Sequence, residues 1–342
     1  MKADAVLCTL EQFETGEWEY MPEKTQKDYI CCSDLTPVNA SKEVKDACRK
    51  QNVYFPSQFC LCDARENTIL TISEREKWRW VPDADCDLLD INPRRFCELL
   101  GDRTIGFFGD STMEQTMYSL KGYLYATSCV DSILPKLDYE APQLGVNNLL
   151  HKQLETFYST STSSRSSSDR HSDKNKKIDI LLMNIGTQYE NMTMFKEGMQ
   201  FLQDDINYLR SLRDPKYHDI SNLWRLNIVP NAHCEEYQHP FTDHFTESER
   251  TDNVFQNYDL YAREMMKTLQ IPILEVTEAF TMRPDAHVVV NNDAAAGNNN
   301  NMYYDCMHSC LPGSGMDVQI QMMAHYMYHH NRRAHAAVEL SD

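Results

Sequence analysis

The sequence is poor in glycine and proline, has no long apolar run and carries far fewer basic than acidic residues. With 11 Gly and 13 Pro in 342 residues, collagen-like and broadly disordered chains are excluded. No stretch approaches the roughly 18 apolar residues of a membrane-spanning helix. The formal charge of −18, from 33 Lys and Arg against 51 Asp and Glu, repels phosphate backbones and argues against nucleic acid as a partner.

What the chain does contain is typical of a globular protein. Hydrophobic residues make up 42% and charged residues 25% of the sequence, which is enough to bury a sizeable core. The length suits one large α/β domain with an appended subdomain. A neutral or weakly charged substrate fits the acidic surface best.

The cysteines are numerous and unevenly placed. Eight of the twelve precede residue 100, and no pair has the C-x₂-C spacing of a zinc ribbon. An even number of cysteines in a loop-rich region favours a disulfide framework, with reduced structural thiols as the alternative. The twelve are Cys8, Cys31, Cys32, Cys48, Cys60, Cys62, Cys86, Cys97, Cys129, Cys234, Cys306 and Cys310.

Two sequons for N-glycosylation, at Asn39 and Asn191, agree with an oxidising, secretory environment. The first ten residues include an acidic residue and lack the apolar core of a signal peptide. A secretory location therefore requires a signal or N-terminal anchor that is missing from this chain, and we expect membrane contact only through such an anchor.

The periodicity of apolar residues predicts alternating strands and helices from about residue 101 onward. Short apolar runs typical of buried strands lie at 103–108, 178–183, 223–229 and 271–276. Helical spacing recurs over 112–126, 195–212, 252–269 and 318–331. This alternation predicts a mostly parallel sheet covered on both faces.

Composition divides the chain further. Residues 1–100 are rich in Cys and aromatic residues with little periodicity, and they predict an irregular, bridged N-terminal subdomain packed on a catalytic domain at 101–335. Residues 159–177 are dominated by Ser, Thr, Arg, Asp and Lys, and they predict a flexible surface insertion.

The candidate nucleophile is Ser111, in the motif Gly109-Asp110-Ser111 between a predicted strand and a predicted helix. In an open α/β sheet, ligands bind at the carboxyl ends of the strands. The beginning of the helix also points free N–H groups and a positive dipole at a developing oxyanion. The plain alternative is an ordinary turn.

The candidate base and its partner lie almost two hundred residues later, in Asp305-Cys-Met-His308. A serine hydroxyl is a weak nucleophile unless an imidazole takes its proton, and a third group must hold the imidazole in the required tautomer. An Asp three residues before a His can turn its carboxylate back to Nδ1 and leave Nε2 free for Ser111. Alone, this pattern is commoner at a helix N-terminus.

The remaining candidates are more ambiguous. Asn184 and Gly186 lie at the end of the second predicted strand and just after it. Each is a candidate to donate an N–H to the oxyanion, beside the N–H of Ser111, and the alternative is that each is an ordinary turn residue. His325 and His329 are one helical turn apart, which is a zinc-binding spacing, but one usable pair is too little for a metal site. We predict no metal centre.

The order of these motifs resembles that of the trichome-birefringence-like, or PC-esterase, family of polysaccharide O-acetyltransferases. The most specific match is Asp305-Cys-Met-His308 followed by Cys310-Leu-Pro-Gly313, which is similar to the family's final motif. The resemblance covers about residues 5–330. The other matching pieces are Lys77-Trp-Arg-Trp80, Asp85-Cys-Asp-Leu88, Phe96, Gly109-Asp-Ser111, Met183-Asn-Ile-Gly186, 274–277 and Met282-Arg-Pro-Asp-Ala-His287.

The resemblance implies a three-layer α/β/α domain of the SGNH-hydrolase type and a Golgi or other secretory location. It makes Ser111 the acylated nucleophile, His308 the base and Asp305 its orienting partner. It further implies disulfides between Cys8 and Cys86 and between Cys234 and Cys306, with Cys310 reaching back to the N-terminal third. The implied partners are a polysaccharide acceptor and an acetyl donor of open identity, with no bound cofactor.

The sequence differs from the family pattern at three places, which bear on recognition of the acceptor and leave the triad unchanged. Glu114-Gln-Thr116 replaces the family's Arg and Asn-Gln after the nucleophile, Thr187-Gln-Tyr189 replaces a His and paired Trp, and Ser309 replaces a Trp. Two alternatives to the transferase remain open from sequence. One is a carbohydrate acetylesterase that uses the same triad, and the other is a catalytically silent glycan-binding protein.

Overall fold

The computed structural model describes residues 6–23, 42, 46, 77–137, 150–163, 177–231, 233–237, 239–241, 253–291, 302–309 and 315–339. The strands, in chain order, are β1 Gly16–Tyr20, β2 Trp78–Pro82, β3 Ile105–Gly109, β4 Ile133–Leu137, β5 Ile180–Asn184, β6 Ser221–Arg225, β7 Ile273–Leu274, β8 His287–Asn291 and β9 Met302–Ser309. The α-helices are α1 Pro93–Leu100, α2 Ser111–Leu124, α3 Leu150–Ser163, α4 Met192–Ser211, α5 Pro215–His218, α6 Asn253–Leu269, α7 Thr277–Thr281 and α8 Gly315–Glu339.

The central sheet has five parallel strands in the order β4-β3-β5-β6-β7. Every residue of β3 and β5 is buried, as expected of inner parallel strands that helices cover on both sides. The four strands and four long helices expected in this part of the chain are confirmed. The prediction of a mostly parallel sheet is confirmed with them.

Alternate residues of the inner strands enter two separate cores, because successive side chains of a strand point to opposite faces. The core on one face contains α1, α2, α7 and α8, and the core on the other contains α3, α4 and α6. The first takes Ile105, Phe107, Ile180 and Leu182, and the second takes Phe108, Leu181 and Met183. The domain is therefore a three-layer α/β/α structure.

The edge strand β4 was missed by the sequence analysis. It contains Pro135, which has no N–H to donate and is tolerated in a sheet at an edge or a bulge. β4 is an edge strand, and its register to β3 shifts between Ile105 and Phe107. Pro135 is the reason that the strand was not predicted, and it also explains why the strand lies at the edge of the sheet.

The N-terminal region is more regular than predicted where the structure describes it. β1 and β2 form an antiparallel pair in which Trp18 lies opposite Trp80, and the Trp18 indole N–H donates to the carbonyl oxygen of Ala279 at 3.0 Å. α1 begins after Asn92, whose side chain accepts the N–H of Arg95. Cross-strand tryptophans and a helix cap do not produce long periodic runs, so the sequence analysis did not predict these three elements.

Three disulfides connect the described residues. Cys8–Cys86 and Cys234–Cys306 are the pairings that the family resemblance implied, and Cys97–Cys129 ties α1 to the segment before β4. The other cysteines lie outside the described residues, including Cys310 and its expected bridge. The predicted insertion at 159–177 also falls mostly outside them, but its first residues, up to Ser163, continue α3. None of the helices described here combines the length and apolar character needed to cross a bilayer.

Candidate active site

The turn that carries Ser111 is fixed on several sides. Asp110 precedes α2, and its carboxylate accepts the N–H of Thr112 at 2.9 Å and the Thr112 hydroxyl at 2.6 Å. Its other oxygen accepts the hydroxyl and the N–H of Thr187, which follows β5. A Cβ at Gly109 would collide with the backbone of β5. The Gly-Asp-Ser motif therefore holds the start of α2 against the neighbouring strand.

Asp305 and His308 both lie on β9, in an irregular part of the β8–β9 pair. His287 pairs with Ser309, whereas Val288 pairs with Asp305, so the three residues between them bulge out of the ladder. In a regular strand, residues three positions apart point to opposite faces. The bulge removes this constraint, because it redirects side chains locally, and the two side chains meet.

The structure brings Ser111, His308 and Asp305 together. The Nε2 atom of His308 lies 2.7 Å from the Ser111 Oγ, although the residues are 197 positions apart. The Nδ1 atom lies 2.6 Å from an Asp305 carboxylate oxygen. Because a carboxylate only accepts, Nδ1 carries the proton and Nε2 is free to accept the hydrogen of Ser111. These are the contacts that a nucleophile, base and orienting acid need.

The charge of Asp305 is favoured by its surroundings. Partial burial pushes its pKa upward, but the hydrogen bond and charge of His308 and the N–H groups of Met307 and His308 outweigh burial, so the pKa lies below its ordinary value. The carboxylate is thus ionised at neutral pH and stabilises an imidazolium when Nε2 takes a proton.

A second histidine, His287, supports the first through the backbone. Its Nδ1 donates to the His308 carbonyl oxygen at 3.1 Å, and its Nε2 accepts from the Asn231 amide at 3.0 Å. Burial lowers the pKa of His287 to about 4. The ring is therefore neutral at physiological pH, in the tautomer that its carbonyl partner requires.

A buried arginine lies under α2. Arg225, at the end of β6, donates to the Thr112 carbonyl oxygen and the Thr116 hydroxyl, both at 3.1 Å, and to the Thr112 hydroxyl at 2.5 Å. It also donates to Asn184 Oδ1 at 2.9 Å. Burial lowers the pKa of Arg225 to about 10, so it stays cationic at neutral pH. The guanidinium ties β6 and β5 to the first turn of α2.

The three groups expected to donate to the oxyanion differ in whether their hydrogens are already used in hydrogen bonds. The amide nitrogen of Asn184 donates to the carbonyl oxygen of Arg225 at 2.9 Å and to Asn227 Oδ1 at 3.3 Å, which uses both of its hydrogens. Its side chain therefore braces the strand ends and has no donor left for an oxyanion. The N–H of Ser111 has no intrahelical acceptor, because it belongs to the first turn of α2. The role of the Gly186 N–H stays a prediction.

Ionisable groups also line a cavity of about 170 Å³ at the β7 end of the same sheet edge. Asp259 accepts the N–H and the amide of Asn227, and Arg263 bridges Glu14 and Glu275. Burial raises the pKa of Asp259 to about 6 and that of Glu275 to about 7. These carboxyls change protonation near neutral pH but are separate from the triad.

His325 and His329 bind backbone rather than each other. His325 donates from Nδ1 to the carbonyl oxygen of Cys8 at 2.8 Å and accepts the Leu89 N–H at 2.9 Å, and His329 donates to the same carbonyl at 3.0 Å. Within the described ranges no cluster of His, Cys, Asp and Glu suits a metal ion.

Sequence reasoning missed His287 and Arg225 as parts of the site. His287 ends the stretch Met282-Arg-Pro-Asp-Ala-His287, which resembles a family motif, so that motif was a signal for it. Arg225 stands inside an apolar strand pattern, where a charged residue needs a buried partner. That misfit was the signal for a buried role, although it does not identify the partner.

Comparison with known proteins finds a family match for the C-terminal part of the chain. Residues 217–326 match PC-Esterase, the GDSL/SGNH-like acyl-esterase family found in Pmr5 and Cas1p. The matched span includes Asp305 and His308 but not Ser111. Among solved structures, a protein described as a GDSL-like lipase from Parabacteroides merdae is similar at 15% identity and a TM-score of 0.36, over 66% of this chain and 96% of that one. No curated protein matches.

The fold defines an α/β protein with a parallel sheet, and residues 217–326 of it are similar to a family of acyl esterases. The resemblance to the PC-esterase family is confirmed over residues 217–326, whereas the trichome-birefringence-like subtype stays a prediction.

Proposed function

We propose that this protein is an O-acetyltransferase that moves an acetyl group from an ester or thioester donor to a polysaccharide hydroxyl through an acyl-enzyme on Ser111. The single observation that carries the proposal is the 2.7 Å contact between His308 Nε2 and Ser111 Oγ. Such a contact lets the base remove the hydroxyl proton as the oxygen attacks a carbonyl carbon.

Two half-reactions follow from this arrangement. Ser111 Oγ attacks the donor carbonyl, its proton passes to His308, and the donor's leaving oxygen or sulfur takes that proton as its bond to the acyl carbon breaks. An acceptor hydroxyl then gives its proton to His308 and attacks the acyl-enzyme, and Ser111 Oγ leaves with the proton. Asp305 stabilises the imidazolium in both halves, and the Ser111 N–H faces the oxyanion.

A carbohydrate acetylesterase is the second candidate, and the exposure of the site favours it. The His308 and Asp305 side chains are 19% and 28% exposed, so water can reach the acyl-enzyme. Hydrolysis and transfer differ only in whether water or a sugar hydroxyl attacks, and this depends on how well a bound acceptor excludes water.

The deciding experiment supplies an acetyl ester or thioester donor together with neutral oligosaccharides and follows acetylated oligosaccharide against free acetate. We expect transfer to exceed hydrolysis when acceptor is present. Free acetate alone, at a rate unchanged by any oligosaccharide, identifies an esterase instead.

The control variants are Ser111→Ala and Ser128→Ala, the second of which removes an exposed hydroxyl. Ser111→Ala should lose the covalent acetyl adduct seen by mass spectrometry, and Ser128→Ala should keep it. An adduct that persists in Ser111→Ala rejects Ser111 as the acylated residue and both candidates with it. Absence of any adduct in the wild type, together with retained glycan binding, favours a silent binding protein.

We also propose that the protein folds in the secretory pathway. Three disulfides join its described residues, and disulfides form in oxidising compartments. Asn191 is exposed and caps α4 through Oδ1, so its amide nitrogen is the atom left for a glycan. A glycosidase-sensitive mass at Asn191 after expression in secreting eukaryotic cells tests this, and a bare Asn191 argues against it.

A further inference from the structure

Gln115 lies one helical turn after Ser111 on the same face of α2, since residues four apart on a helix project alike. Its side chain is fully buried. The amide Nε2 donates to the Ser309 carbonyl oxygen at 2.5 Å, and the Ser309 N–H donates to Gln115 Oε1 at 3.2 Å. One side-chain amide thus occupies both backbone groups of the residue directly after His308.

This pairing resembles the exchange of N–H and C=O bonds between neighbouring strands. It adds a second connection between α2 and β9, beside the contact between Ser111 and His308. Asp305 and His287 also hold His308, but they lie on β9 and on its hairpin partner β8. They orient the imidazole within the hairpin, whereas Gln115 connects the hairpin to the helix that carries the nucleophile.

We propose that Gln115 is a positioning residue that sets the distance between Ser111 Oγ and His308 Nε2. The inference rests on the proposed function, since it assumes that these two atoms exchange a proton. Proton transfer requires about 2.6–3.2 Å between the heavy atoms, and a displacement of about 1 Å can lower a rate on the order of 100-fold. The departure of 114–116 from the family pattern lies in this segment.

The test is the rate at which a small alkyl fluorophosphonate labels Ser111. In that reaction Oγ bonds to phosphorus, fluoride leaves and His308 takes the proton, so the rate depends on the positioned base. The variants are Gln115→Met, which removes both hydrogen bonds, and Gln115→Glu, which when protonated keeps a donor and an acceptor in place. Gln321→Met is the matched control, because it removes an amide that donates to the Leu89 carbonyl oxygen away from the site.

We expect Gln115→Met to lower the maximal labelling rate about 10- to 100-fold with little change in the probe concentration at half-maximal rate. Gln115→Glu should fall between Gln115→Met and wild type. Gln321→Met should label as wild type does, even where its melting temperature drops. A purely structural role for Gln115 predicts lower melting temperature at an unchanged labelling rate per folded molecule.

The two proposals fail separately. Absence of label at Ser111 in the wild type overturns the proposed function and the inference with it. A labelled wild type with Gln115→Met within about threefold of its rate, below the loss that misplacement brings, overturns the inference alone. If Gln115→Met does not fold, the same comparison decides when it is made with Gln115→Glu in its ionised form, because a carboxylate cannot donate to the Ser309 carbonyl oxygen. A wild-type maximal rate then overturns the inference, and a reduced rate at an unchanged half-maximal concentration supports it.

Discussion

At the scale of single residues, the site depends on the protonation of one imidazole nitrogen. Asp305 accepts from His308 Nδ1 and, through its other oxygen, from the N–H groups of Met307 and His308. The same carboxylate therefore shapes the bulge and selects the tautomer. Residue substitutions can separate these two tasks.

Asp305→Asn should keep the fold and lose most of the activity. The amide oxygen can still accept the two backbone N–H groups, but an amide N–H facing Nδ1 moves the imidazole proton to Nε2, which then cannot accept from Ser111. We expect a loss on the order of 10⁴-fold in the rate of Ser111 acylation, measured with an activated acetyl ester. Activity within tenfold of wild type, in a folded variant, would mean that Asp305 does not set the tautomer.

Arg225→Met should destabilise the protein by about 3–5 kcal/mol, as breaking a buried charged cluster does. Its neutral side chain leaves the Thr112 carbonyl, the Thr116 hydroxyl and Asn184 Oδ1 without their donor. Arg225→Lys keeps the charge but loses the fork of donors, so we expect an intermediate loss. Urea unfolding measures both, with the exposed Arg332→Met as control, for which a change below about 0.5 kcal/mol is expected.

At the scale of elements, α8 holds the N-terminal segments on the α/β domain. His325 on α8 bonds Cys8 and Leu89 from opposite ring nitrogens, and its ring contacts Phe13 edge to face. Burial lowers the pKa of His325 to about 4, so the tie requires the neutral ring. His325 therefore has a structural role, because it joins α8 to the N-terminal segments.

His325→Leu should cost about 2–3 kcal/mol near pH 7.5, because a buried carbonyl and N–H lose their partner. In the unfolded chain a histidine titrates near pH 6.5, whereas folded His325 titrates near pH 4. The unfolded wild-type chain therefore binds more protons than the folded one between these pH values. The free energy of unfolding of the wild type falls as the pH is lowered from about 6.5 to 4. The stability gap between wild type and variant should shrink over the same interval in urea titrations, and a constant gap contradicts the assignment.

At the scale of the whole molecule, the disulfides connect segments that lie far apart in the chain. Cys234–Cys306 spans 72 positions and adjoins Asp305, whereas Cys97–Cys129 spans 32 positions on the α1 side. Asn231, close to Cys234, also donates its N–H to the carbonyl oxygen of Cys306 at 3.1 Å. The strand that carries the base is thus anchored from outside the central sheet.

Replacing both cysteines of either bridge by serine should lower stability by a similar amount, about 3–4 kcal/mol, because loop-closure entropy grows slowly with loop length. Only Cys234→Ser with Cys306→Ser should also slow fluorophosphonate labelling of Ser111, since that bridge anchors β9. Equal labelling rates for the two double variants at matched folded fraction would show that the bridge has no part in positioning the base.

The sequence by itself predicted four of the five strands of the central sheet, four of its long helices and the three side chains, Ser111, Asp305 and His308, that the structure brings together. Buried parallel strands and amphipathic helices leave short-range patterns, and so do the Gly-Asp-Ser turn and the Asp-x-x-His spacing, because these depend on neighbours within a few residues. The two disulfides that the family resemblance implied, Cys8–Cys86 and Cys234–Cys306, followed from the cysteine positions of that family rather than from interactions between residues close in the chain.

Only the tertiary structure decided which groups surround the reacting atoms. The edge position of β4, the bulge that turns His308 toward Ser111, the guanidinium of Arg225 under α2 and the amide of Gln115 on Ser309 all join residues distant in the chain. Such contacts depend on how helices and strands pack against one another. They cannot be predicted from the residues that are close to each side chain in sequence.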